Sequence, residues 1–172
     1  MFRIATVDPA QATGDFATVF AMFPPQLGVP TPLRLLSASP FLFAQQAKVI
    51  QHFMQHPNLD SRLMALVRYL VAAENGFPLC EAFNGNLLKM FGLDDKTLAD
   101  CQEDPSLAPL AERDKAMLVF VLKSLRAPEQ VGDADLAALR DLGFADSDIL
   151  EAMWVGASMM SLAVMVKALH QA

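Results

Sequence analysis

Apolar residues recur along most of this chain at helical spacing, and no stretch of useful length alternates in the two-residue manner of a strand. The clearest run is Leu63, Leu66, Val67, Leu70 and Val71. It follows the i, i+3, i+4, i+7, i+8 spacing of a helix buried along one stripe. Asp60 and Ser61 stand at the N-cap, and Asn75-Gly76 supplies a left-handed stop, so a helix is expected over 61–74. Pro78 follows at once, and proline suits a first helical position because its missing N–H would be unpaired there anyway. A second helix is expected from 78 to about 91, ending at Gly92, with Cys80 in its first turn.

Ser39-Pro40 repeats the cap-and-proline signal for a helix reaching about Gln55. Met117, Leu118, Val121, Leu122 and Leu125 make another helical stripe, which Pro128 stops. Asp133 opens a short helix closed by Gly143, and "ADSDILEAMW" opens a long C-terminal helix with acidic residues in its first turn. The segment "PPQLGVPTP" carries four prolines between 24 and 32 and is expected to cross the surface as an ordered arm. The pattern predicts an all-α fold in one domain spanning 1–172. Its arm and short helices occupy 1–38 and its helical core 39–172.

Composition sharpens this picture. Apolar residues make up 53% of the 172, with 10 methionines and only 8% aromatics, which suits aliphatic helices packing within a core or between subunits. Residues 152–166 are uncharged, closed by Glu151 and Lys167, but a span needs about 20 apolar residues, so a buried or interfacial helix is expected and no membrane. The methionines at 153, 159, 160 and 165 are spread around that helix and read as packing, not as a soft-metal surface. Net charge is −6 and no window concentrates Lys and Arg, so nucleic acid is not an expected partner. No secretory signal opens the chain, which makes a cytoplasmic location and reduced thiols at Cys80 and Cys101 the expectation.

The remaining chemistry is sparse. No phosphate loop, serine triad or paired-carboxylate motif is present, and no cofactor is expected. His52 and His56 stand at i and i+4 near the end of the helix that follows Pro40, but nothing accompanies them at metal spacing. Favourable contact with a helix C-terminus is the simpler reading, so no metal is expected. His170 reads as a solvated tail residue. Cys80 lies where a helix N-terminus lowers a thiol pKa, while Glu74 and Glu81 nearby oppose a second negative charge. Cys101, in the polar stretch "LADCQEDPSLAP", reads as a surface or half-buried thiol and less readily as a resolving one.

The segment "LVRYLVAAENGFPLCEAFNGNLLKMFGL" resembles the core of the AhpD-like, or carboxymuconolactone decarboxylase, superfamily, especially its peroxidase-related branch. "RIATVDP", "LRLLSASPFLFAQQAKVI" and "DADLAALRDLGFADSDILEAMWVGASMMSLAVMVKAL" extend the likeness over nearly the whole chain. The resemblance implies a helical domain built on a central antiparallel pair meeting at Asn75-Gly76, and a homo-oligomer, whether dimer, trimer or hexamer. It also implies a CxxC pair with a histidine four residues after the second cysteine and a glutamate twelve before the first, forming a proton relay. Carried over, the second cysteine is Cys80, the first falls on Phe77, the histidine on Asn84 and the glutamate on Ala65.

That degenerate relay lacks a resolving thiol and a group that moves protons near neutral pH. Two functions follow as expectations. One is a single-cysteine peroxidase, in which Cys80 reacts with peroxide and an external thiol reductant restores it, helped by Asn84, Glu74 or Glu81. The other is a non-catalytic oligomeric or small-ligand-binding protein whose pocket Phe77 has made apolar. Lactone decarboxylation needs acid and base groups that the matching positions do not supply.

Overall fold

The computed structural model describes residues 1–171. The chain is helical throughout, and among the described residues the only extended pairing is a single antiparallel bridge between Phe2 and His170. Two compact units divide it, one of residues 1–55 with 161 onward and the other of 56–160.

In the first unit lie α1 (Gly14–Phe20), α2 (Thr31–Leu36) and α3 (Pro40–Met54). Ser39 caps α3 as expected, its Oγ accepting the Leu42 N–H at 3.3 Å. The proline-rich segment does not stay an arm. Its last part turns into α2, where Pro32 sits in the first turn and Leu33, Leu35 and Leu36 are buried. A small apolar core joins Val19, Phe20, Leu33, Phe43 and Ala47, with the Phe20 and Phe43 rings edge to face at 5.5 Å. The C-terminal tail is tied in as well. Arg3 N–H donates to the Leu169 carbonyl, and the Phe2 and His170 rings meet at 5.2 Å, so His170 is a packed residue and not the solvated one expected.

The second unit is built on α4 (Ser61–Glu74) and α5 (Pro78–Met90), followed by α6 (Asp95–Glu103), α7 (Glu112–Arg126) and α8 (Asp133–Asp141). The long helix α9 (Asp146–Leu169) begins here. Asp60 caps α4 by accepting the Arg62 N–H at 2.8 Å, and Gly76 takes φ +58° to reverse the chain. That reversal makes α4 and α5 the expected antiparallel pair, and no other pair of elements packs so extensively. Helix α4 is buried nearly all round, with Leu63 through Val67 and Tyr69 through Ala72 inside. Helix α9 comes so close that a Cβ on Gly156 would stand 2.6 Å from Leu125 Cδ1 and 3.1 Å from Val121 Cγ1, so a larger residue there would require the Leu125 side chain to shift.

Two further expectations are corrected in this unit. The polar stretch around Cys101 forms α6, whose Leu98 and Cys101 are buried one turn apart. His56 lies beyond the end of α3 and not within its last turn. Its Nδ1 accepts the N–H groups of Asn58 (3.2 Å) and Leu59 (2.9 Å), while Nε2 stands 2.9 Å from Glu151 of α9. An Nδ1 that accepts two hydrogen bonds carries no proton, so the Glu151 contact is made by Nε2–H. Asp148 completes this tie, accepting from Asn58 Nδ2 at 3.1 Å and from Ala145 N–H at 2.9 Å.

Candidate functional site

Cys80 occupies the third position of α5, with Phe77 at the N-cap and Pro78 at N1. The helix starts there because Pro78 suits the first turn and the Phe77 carbonyl accepts the N–H groups of Cys80 (3.1 Å) and Glu81 (3.0 Å). The same cap turns the Phe77 ring into the core, where it is 2% exposed. Cys80 is 4% exposed, and Ala65 is fully buried. Position 77 is therefore filled by a packed ring, and position 65 by a methyl group.

The expected contest at Cys80 between helix dipole and carboxylates is not the deciding one. Burial pushes the Cys80 thiol up to about 12, and the charge that opposes this is Arg68. An apolar environment penalises the thiolate because no water solvates it. At neutral pH Cys80 is a neutral thiol.

Glu74 and Glu81 are turned to other partners. Glu74 forms a two-pronged ion pair with Arg126 of α7, with Oε2 accepting from Arg126 Nε at 3.0 Å and Oε1 bonded to Nη2. Glu81 accepts from Gln102 Nε2 at 2.9 Å, and the same amide donates to the Tyr69 hydroxyl at 2.7 Å. Burial raises the Tyr69 phenol above its ordinary range, and the charge of Glu81 adds to it. Cys101 is fully buried, and burial raises its thiol too. Both cysteines are free thiols.

Asn84 has a defined structural part. Its Nδ2 donates to the Cys80 carbonyl at 2.8 Å inside the helix, and its Oδ1 accepts Arg68 Nε–H at 3.0 Å. These two bonds leave one orientation for the amide. The position that would carry a histidine in the redox-active pattern here fastens a cation of α4 beside the thiol of α5. Asn84 is 3% exposed and Arg68 half-buried, and burial lowers the guanidinium to about 10, against a smaller opposing effect of Cys80. Arg68 remains charged at neutral pH.

Arg68 is the residue that sequence reasoning missed. It falls off the 63-66-67-70-71 stripe, which places it on the solvent side of a one-sided helix. Its mark in the sequence is a lone charge between two apolar runs, "LMALV" and "YLVAA".

No protein-family model matches the chain, and no curated protein matches it significantly. Solved structures do. A peroxidase-related protein from Silicibacter sp. TM1040 superposes with a TM-score of 0.74 at 20% identity, covering 96% of this chain and 90% of that one. A second, described as an alkylhydroperoxidase AhpD core and peroxidase-related protein from Ralstonia eutropha JMP134, gives 0.77 at 20% identity over 98% and 90%. Identity at this level shows a shared fold. The chain has the all-α architecture of these two structures.

Proposed function

We propose that this AhpD-like fold serves as a non-peroxidatic binding and assembly protein, in which Cys80 is a core thiol and not a nucleophile. The observation that carries this reading is the burial of Cys80, 4% exposed and with its thiol pushed to about 12. A peroxidatic thiol has to be reached by peroxide and be ionised near neutral pH, because the thiolate is the reacting species. Phe77, packed where a resolving thiol would stand, and Asn84, which cannot titrate, point the same way.

One observation favours the single-cysteine peroxidase as a second reading. Arg68 stabilises a negative charge on Cys80, and an external thiol reductant would close the cycle. Its effect is smaller than that of burial.

Assembly draws on α9. It is 24 residues long, and 39% of its most apolar window is buried in the chain. By length and composition it suffices to cross a membrane, the one such helix among the described residues. Leu150 (68% exposed) and Trp154 (45%) follow one stripe with the exposed Ala157. Small and apolar residues along one helix face suit contact with a second copy of this chain, and a homo-oligomer accounts for the exposure better than solvent does.

Iodoacetamide alkylation followed against pH tests the reading, with Cys80 and Cys101 resolved by peptide mass spectrometry and Cys80→Ser as the blank. Cys80 is expected to stay unlabelled from about pH 7 to 8.5 while the protein is folded, and to label on unfolding. Labelling with a midpoint below about pH 7, together with thiol-dependent peroxide consumption, would establish the peroxidase instead.

A further inference from the structure

Arg68 is the one charged residue between Leu63 and Ala72, and the nine other side chains of that run are buried. A charge in such surroundings costs free energy unless an opposite charge meets it. None does among the described residues. The carboxylates flanking it in sequence are committed elsewhere, Asp60 to the Arg62 N–H, Glu74 to Arg126 and Glu81 to Gln102. Among the described residues no acidic side chain pairs with Arg68, and its one hydrogen bond is from Nε to Asn84. Cys80, the charge that Arg68 does feel, is neutral at physiological pH.

The geometry leaves a defined part of the guanidinium available. Asn84 takes the Nε edge and is itself locked by the Cys80 carbonyl, which holds the planar group in place. The Nη1 and Nη2 end then presents two parallel N–H donors, the arrangement that matches the two oxygens of a carboxylate. The half-buried setting selects for low charge and weak hydration, since the desolvation cost of an ion rises with its charge.

We propose that Arg68 is the seat of a small organic carboxylate, held end-on by its two Nη groups beside Cys80, with Asn84 as the positioning residue. The proposal rests on the binding reading above and names the class of ligand that the site takes. It involves no covalent step.

Thermal unfolding in acetate at pH 7, against sodium chloride of equal ionic strength, tests it on the full chain. Acetate at about a hundred times its Kd is expected to raise the Tm of the native protein by roughly 5–10 °C. Arg68→Gln removes the seat, and Asn84→Asp supplies an internal counter-ion, so in both variants the acetate-dependent rise is expected to vanish. Two variants of opposite design keep the test open if one of them folds poorly. The proposal is overturned if acetate leaves the native Tm unchanged, or if both variants respond as the native protein does. It is also overturned if phosphate stabilises where acetate does not, or if Tm follows protein concentration and not acetate, which would assign the counter-ion to a second copy. A silent Cys80 without an acetate response overturns the carboxylate seat alone, whereas a reactive Cys80 with one overturns only the non-peroxidatic reading.

Discussion

Replacing Phe77 with alanine tests whether the old thiol position has become part of the core. The ring is 2% exposed and ranks among the largest fully buried side chains. Burying a phenylalanine removes about 200 Å² from water, worth roughly 5 kcal/mol at about 25 cal/mol per Å². A denatured chain that is already partly compact reduces this to about 3–4 kcal/mol, and a cavity that does not collapse adds to it again. The expected loss is therefore about 3–5 kcal/mol. Against a total of about 5–15 kcal/mol that leaves a folded but weakened protein, with Tm lower by roughly 6–20 °C for a chain of this size. Urea unfolding followed by circular dichroism measures it, with Phe77→Leu as a control expected to lose much less. A loss below about 1 kcal/mol at unchanged m-value would refute the reasoning, because the ring would then contribute no packing that alanine lacks.

Two other outcomes follow from the same structure. Burial raises Cys80 to about 12, so its contribution is fully present below the unfolded pKa of about 8.5 and is lost as pH rises toward the folded value. Arg68, lowered to about 10, acts in the opposite sense above that pH, and Cys101, also raised by burial, acts in the same sense as Cys80, so it is the comparison with Cys80→Ala over about pH 9 to 10 that isolates the part due to Cys80. Urea unfolding of the native protein over that window should show about 1 kcal/mol more loss than Cys80→Ala shows, and parallel curves would sink the assignment. On α9, Leu150→Glu and Trp154→Glu place charges in the exposed stripe. Sedimentation velocity should show smaller particles than the native protein at unchanged helical content, and a native protein that sediments as a monomer would rule out the second copy.

The helices and their ends were written locally. Asp60, Ser39, Pro78, Gly76 and Gly92 act on neighbours within a few residues, through cap hydrogen bonds, a fixed φ or a positive one, so α3, α4 and α5 begin and end close to where the sequence places them. The loss of the CxxC, histidine and glutamate pattern is likewise a matter of which residue stands at each position. Where polar residues hide a short amphipathic repeat, as around Leu98 and Cys101 in α6, the local signal fades, because two buried positions do not make a visible stripe. Only the tertiary structure decided the state of the thiol and of its neighbour. A pKa depends on solvent access and on charges brought near from other elements, and neither is carried by spacing along one helix. Helix α4 is covered nearly all round, so Arg68, which a one-stripe reading leaves in water, lies against Asn84 and Cys80. The packing of α5 on α4 thus turns an apparent redox helix start into a buried thiol beside an unmatched cation.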